Sequence, residues 1–253
     1  MGKVIAVTGK GGAGKTTVAV LIVKSLVARR LGPILAVDAD PNTNLDAALG
    51  VVAAETVGDV REEALAKVES LPGGMTKTEF LQYRTQEALV EADGFDLIAM
   101  GRPEGPGCYC YANSILRACV DQLTGRYPYV VMDCEAGLEH LSRRTTQNVD
   151  LLLMLSDVSV RGLETAARVV ELVEELKTEA RRIEFAVTRV RNGLPDQFRE
   201  AVAARHLTIA AEIPDDPEIA ALDAAGRPLL GVSAGSVALA AVQGLLDKSG
   251  VLE

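Results

Sequence analysis

Tryptophan is absent from this chain of 253 residues, and aromatic residues together make up only 4%. A core cannot then rest on stacked rings and has to come from Val, Leu, Ile and Ala, a composition that suits buried parallel strands. There is no basic excess either: 26 Lys and Arg stand against 35 Asp and Glu, for a formal net charge of -9. Non-specific nucleic-acid binding needs clustered cations to neutralise phosphates, so no nucleic-acid partner is expected. No apolar run approaches the roughly 18 residues of a membrane span. The N-terminus lacks a signal-peptide layout, which predicts a cytoplasmic protein with no membrane partner. The two histidines, His140 and His206, are far apart and show no ligand spacing. The four cysteines, Cys108, Cys110, Cys119 and Cys134, are then expected as reduced thiols open to metal or redox chemistry. With no Pro-, Ser- or Gly-rich linker, no repeat and no low-complexity tract, one domain over residues 1–253 is the simplest reading.

What is present is an alternation of strands and helices. Apolar runs predict strands at Val4–Thr8, Pro33–Val37, Phe95–Met100, Tyr129–Met132, Leu151–Leu155, Ile183–Val187 and Thr208–Ile213. Helical patterning falls at Thr16–Arg30, Ala53–Val68, Lys77–Glu91, up to about Leu123, Glu164–Leu176, Asp196–Arg205 and Val237–Leu246. The fold class that follows is α/β, a mainly parallel twisted sheet with helices on both faces. In such sheets ligands bind beyond the carboxyl ends of the strands. The loops after Thr8, Val37, Met100 and Met132 should therefore converge on one site.

The first of those loops, Gly9-Lys10-Gly11-Gly12-Ala13-Gly14-Lys15-Thr16, has the spacing of a phosphate-binding loop between a strand and a helix. Its glycines let successive N–H groups turn toward phosphate oxygens, and the helix adds its positive end. Lys15 would contact the terminal phosphates, and Thr16 would offer its hydroxyl to Mg²⁺. Asp133 closes an apolar strand, as an aspartate that binds magnesium through water should. Asp38-Ala39-Asp40-Pro41-Asn42 closes another.

Lys10 stands five residues before Lys15 and is not required by the plain motif. With it, the loop resembles the deviant Walker A class of ATPases, which includes nitrogenase iron protein, division-site and partition ATPases and metal-cluster carriers. The resemblance implies a homodimer in which Lys10 reaches the partner's nucleotide, much as an arginine finger does. It implies catalytic roles for Lys10, Lys15 and Asp40, the last orienting or deprotonating the attacking water. Gly11, Gly12, Ala13, Gly14, Lys15, Thr16 and Thr17 would hold ATP or ADP. Asp38 and Asp133 would serve the Mg²⁺ shell, and Gly137 of Glu135-Ala136-Gly137 would donate its N–H to the γ-phosphate. Thr188 occupies the place where the class often has an adenine-reading Asn, and Pro214 and Asp215 resemble its second base-contacting loop. That departure weakens ATP over GTP while leaving ATP favoured.

Cys108-Tyr109-Cys110 offers two thiolates from one chain, which suit zinc, nickel or copper(I). A two-fold dimer would bring four sulfurs to its axis. The stretch Gly101–Asn113 resembles the metal loop of the nickel-insertion ATPases that mature carbon monoxide dehydrogenase, the CooC type, and Met132–Thr145 resembles their switch II. The implied function is an ATP-dependent metallochaperone. It would insert Ni²⁺ (or hold Zn²⁺) at Cys108 and Cys110 across the dimer, with carbon monoxide dehydrogenase or acetyl-CoA synthase as acceptor. Two alternatives remain, an iron–sulfur electron-donating ATPase and a partition or positioning ATPase. Cys119 and Cys134 are expected to be structural.

Overall fold

Strand β1 (Lys3–Gly9) lies mid-sheet because its apolar run Val4-Ile5-Ala6-Val7 is covered on both faces. It pairs in parallel with β5 (Tyr129–Cys134) and β7 (Leu151–Ser156). The remaining strands are β2 (Ile34–Ala39), β3 (Val90–Glu91), β4 (Phe95–Ala99), β9 (Ile183–Val190) and β10 (Ile209–Pro214). The eight-stranded sheet runs β10-β9-β7-β1-β5-β2-β4-β3, parallel except where β3 pairs antiparallel with β4. β6 (Asn148–Val149) and β8 (Glu179–Ala180) form a separate parallel pair. The computed structural model describes residues 2–66, 74–101, 118, 123, 125–134, 148–176 and 179–253.

Because side chains alternate across a strand, the sheet feeds two cores. Ile5, Val7, Ala36, Val131 and Leu153 meet α1 (Lys15–Ala28) and α8 (Val237–Ser249) on one face. Ala6, Val37, Met132 and Val187 meet α3 (Val57–Ala66), α4 (Lys77–Glu87), α5 (Val160–Leu176) and α6 (Asp196–Ala203) on the other. The result is a single α/β domain with a mostly parallel sheet flanked by helices, as the alternation predicts.

Boundaries differ from the sequence expectation for local reasons. The helix expected from Ala53 starts at Val57, because Thr56 and Asp59 cap each other: Thr56 N–H donates to Asp59 Oδ2 at 2.9 Å and Asp59 N–H to Thr56 Oγ1 at 3.2 Å. The helix expected to reach Glu91 stops at Glu87, since the turn around Gly94 (φ 85°) folds Val90–Glu91 back onto β4. Two short helices were not anticipated, α2 (Leu45–Leu49) and α7 (Pro217–Ala224). Of the helix expected to end near Leu123, Ala118 and Leu123 are described, and both are helical. Among the described residues no helix is long and apolar enough to cross a membrane.

Candidate phosphate and magnesium site

The loop between β1 and α1 needs glycine where the chain bends. At Gly9, φ is +146° and a Cβ would stand 2.2 Å from Leu155 O, so no other residue fits without moving β7. Gly12 and Gly14 have φ of +80° and +79°, and a Cβ on Gly11, Gly12 or Gly14 would meet nothing within 4 Å. The space beside these three glycines is thus open. Ala13 N–H donates to Lys10 O at 3.1 Å and closes the turn. Gly14 is the N-cap of α1, which has no side-chain cap and no acid in its first turn. Its first N–H groups and partial positive charge therefore face the loop. Lys15 opens α1 and is buried, and Thr17 lines the neighbouring cavity.

Asp133 and Asp38 are register partners on adjacent strands, and both are buried. Thr16 Oγ1 donates to Asp133 Oδ2 at 2.6 Å. Asp133 Oδ1 is buried with no hydrogen-bond partner among the described residues. A hydroxyl beside an orphaned carboxylate oxygen is a hard-oxygen donor pair that fits Mg²⁺. Burial, which outweighs the Thr16 bond and the charge of Lys15, pushes Asp133 up to about 6. Burial also pushes Asp38 up to about 7, against the N–H bonds it accepts and with the charge of Asp133 adding to the rise.

Asp38 arranges the loop after β2. Its Oδ1 accepts from Asp40 N–H at 3.1 Å, and its Oδ2 accepts from Asn44 N–H at 3.0 Å and Leu45 N–H at 2.9 Å. Asp40 Oδ1 in turn accepts from Asn42 N–H at 2.9 Å and Asn42 Nδ2 at 3.0 Å. The two aspartates thus lie in one hydrogen-bonded turn.

Lys10 Nζ lies 3.8 Å from Asp157 Oδ2, just beyond the end of β7, with both side chains about one-third exposed (35% each). Asp157 escaped the sequence reading, although it follows the apolar run Leu151–Leu155 and so stands at a strand's carboxyl end. Thr188 is buried and its hydroxyl faces Ala13 O at 2.8 Å and Ser156 O at 3.3 Å. Beside it a cavity of about 290 Å³ is lined by Gly14, Thr17, Arg189, Pro214, Asp215 and Asp216, among others. Arg191 Nε meets Asp215 Oδ2 at 2.6 Å at its mouth.

Asp216 was also missed. It caps α7 through Glu218 N–H at 2.9 Å, and it accepts from Ser236 Oγ at 2.6 Å and Ala238 N–H at 3.2 Å at the start of α8. Burial alone would raise its pKa, but the Ser236 hydroxyl and the backbone N–H groups hold it below the usual carboxylate range. The run Asp216-Pro217-Glu218 is a helix-start signal that could have revealed both the cap and the helix.

Cys134 is packed in the core, and burial pushes its thiol well up, so it sits as a neutral side chain. Cys108, Cys110, Cys119, Glu135, Gly137 and His140 lie outside the described residues. The segment bearing Cys108 and Cys110 leaves β4 through Met100 and Gly101. Met100 N–H donates to Asp38 O at 2.8 Å, and Gly58 N–H donates to Met100 O at 2.8 Å.

Residues 4–229 match the CbiA family, described as the CobQ/CobB/MinD/ParA nucleotide binding domain. An uncharacterized ATP-binding protein of Methanocaldococcus jannaschii is 45% identical over 228 residues, covering 89% of this chain and 90% of that one. The carbon monoxide dehydrogenase accessory protein CooC of Rhodospirillum rubrum is 34% identical over 183 residues, covering 68% and 69%. Among solved structures, the cell division ATPase MinD of Pyrococcus furiosus superposes over 100% of both chains with a TM-score of 0.71 at 22% identity.

Proposed function

Since the chain belongs to the CobQ/CobB/MinD/ParA family of nucleotide-binding domains, we propose that it is an ATPase that couples ATP binding and hydrolysis to nickel insertion. The acceptor would be carbon monoxide dehydrogenase or acetyl-CoA synthase. ATP as the nucleotide is supported by the 45% identical ATP-binding relative. The nickel role is supported by the 34% identical accessory protein together with the pair Cys108 and Cys110. The observation that carries the coupling is the bond from Met100 N–H to Asp38 O. The strand end that leads into the cysteine segment is thereby joined to the residue that arranges the loop bearing Asp40.

In this reading the N–H groups of Gly11 to Thr16 and the Lys15 ammonium bind the phosphates. Thr16 and Asp133 hold magnesium, with Asp38 beside them keeping the Asp40 turn in shape. Magnesium, when bound, would neutralise charge on the β- and γ-phosphate oxygens. Asp40 orients the attacking water, and Gly137 donates its N–H to the γ-phosphate. Lys10 leaves Asp157 for the nucleotide of a second copy, so ATP draws two subunits together. Cys108 and Cys110 from both copies then offer four thiolates to one nickel ion, the cargo. Hydrolysis parts the subunits and releases it.

The test is metal analysis of protein purified without oxygen, with sizing in the presence and absence of ATP. One nickel or zinc per two chains, coupled to dimerisation, is the expected result. Replacing Cys108 and Cys110 with Ala should abolish that binding and leave ATP binding intact. Stoichiometric metal on the double variant would sink the assignment.

A positioning ATPase is the second reading, favoured by relatives such as the septum site-determining protein MinD of Bacillus subtilis, 25% identical over 238 residues. It leaves the cysteine pair without a role, and Lys248 alone is basic in the last turn of α8. Metal-free protein that dimerises fully with ATP would favour it.

A further inference from the structure

The geometry points to Thr188 as a positioning residue for the phosphate loop, in a base pocket that separates adenine from guanine nucleotides only weakly. This rests on the nucleotide site and not on the cysteine segment. Thr188 has one hydroxyl proton, and the acceptors in reach are Ala13 O at 2.8 Å and Ser156 O at 3.3 Å. Ala13 is a buried residue of the phosphate loop, and Ser156 ends β7. The nearer acceptor, Ala13 O, takes the proton, so the hydroxyl ties the loop to β9 from a position that is 3% exposed. The oxygen could still accept one bond from a base. Adenine and guanine both carry N–H donors, however, so a lone acceptor does not tell them apart.

The charged side chains around the cavity are similarly committed or wet. Asp216 already accepts from Glu218 N–H, Ser236 Oγ and Ala238 N–H. The Asp215 N–H donates to Val190 O at 3.1 Å, and its carboxylate meets Arg191, whose side chain is 79% exposed. Arg189 is also exposed. Discrimination of about 10⁴ or more arises when the wrong substrate leaves buried site groups unpaired. Neither Thr188 nor Asp216 would be left unpaired by the wrong base.

The experiment is a binding titration of the full chain with ATP and with GTP, each with Mg²⁺. Wild-type dissociation constants are expected within about tenfold of one another. Thr188→Val strands Ala13 O and should weaken both nucleotides by one common factor of about ten. Thr188→Ser, which keeps the hydroxyl, should restore both. A wild-type preference for ATP above about a hundredfold would overturn the inference. So would a Thr188→Val protein that loses ATP but keeps GTP, since Thr188 would then read the base. Failure to bind either nucleotide would overturn the nucleotide site itself, a separate outcome.

Discussion

The Thr16 hydroxyl donates to Asp133 Oδ2 at 2.6 Å, joining the first turn of α1 to the end of β5 across 117 residues of chain. The bond occupies one carboxylate oxygen and leaves Oδ1 buried with no partner among the described residues. Asp133→Asn would put an amide where a hard anionic oxygen stands. Magnesium affinity in the presence of ATP is expected to fall about 10- to 100-fold, by analogy with groups that support a bound metal. Titrating Mg²⁺ against ATPase rate checks this; an unchanged magnesium midpoint would remove Asp133 from the site.

Lys10 and Asp157 form a partly exposed pair 3.8 Å apart, which contributes at most about 1 kcal/mol to folding. A cation held so loosely is free to change partners. Lys10→Ala should therefore leave the melting temperature nearly unchanged, yet lower kcat about 10³-fold, as loss of a finger residue does. ATP affinity of the monomer should hold. Steady-state ATPase assays, with sizing in ATP, decide the matter, and a fully active variant would show that Lys10 reaches no second nucleotide.

The phosphate loop and the strands that feed the site were legible because the apolar runs Val4–Thr8, Pro33–Val37, Phe95–Met100 and Tyr129–Met132 are each followed by a glycine or an aspartate. Periodicity and punctuation carry that information locally. The partners of single side chains do not show in this way. Nothing in the type of Thr188 says that it will bond Ala13, 175 residues away, rather than a base. Nor does Lys10 announce Asp157. The two-residue strand β3 exists only through its bonds to β4, so no pattern of its own marks it. By contrast α7 is readable from Asp216-Pro217-Glu218, a helix-start signal that directly follows Pro214 and Asp215.

Asp38 and Asp133 set a pH dependence of opposite sense to ordinary acid denaturation. They ionise near 7 and near 6 when folded without metal, chiefly because burial disfavours the charge, against about 3.9 in an unfolded chain. The folded state thus keeps protons that the unfolded state has shed. The resulting stability is complete below about pH 4 and is lost as pH rises through about 6 to 7. The melting temperature in a chelating buffer should fall between about pH 5 and about pH 8, and Mg²⁺ with ATP should reduce that slope by binding the ionised form. Calorimetry across that range checks it, and a metal-free profile that rises with pH would contradict it.

Asp216 works in the reverse direction. Its carboxylate caps α7 and receives Ser236 Oγ and Ala238 N–H, bonds that outweigh the cost of burial and hold its pKa low. The stability it contributes is present above the unfolded value and lost as pH falls through the lower folded one. Asp216→Ala removes a cap and leaves the Ser236 hydroxyl without its acceptor, at a cost of about 2 kcal/mol. In a chain of this size that is about 4–8 °C in melting temperature. Thermal melts at neutral pH, where the wild-type group is ionised, would measure the full loss; a change under about 1 °C would mean that α7 and α8 do not depend on the latch.

Gly101 stands at the exit of β4, where the segment bearing Cys108 and Cys110 begins. Its φ is +67°, and a Cβ there would fall 2.1 Å from Thr56 Oγ1 and 2.3 Å from Thr56 Cβ. Thr56 is itself fixed by its bonds to Asp59 at the start of α3, so it cannot yield cheaply. Gly101→Ala must therefore shift the segment's root or uncap α3, and either disturbs the Met100 link to Asp38. The expected result is weaker nickel or zinc retention with ATP binding kept, because the phosphate loop lies on a different strand. Metal analysis and an ATP titration on one preparation test both halves. Retention of metal at the wild-type ratio would show that the cysteine segment takes its position from contacts other than its root.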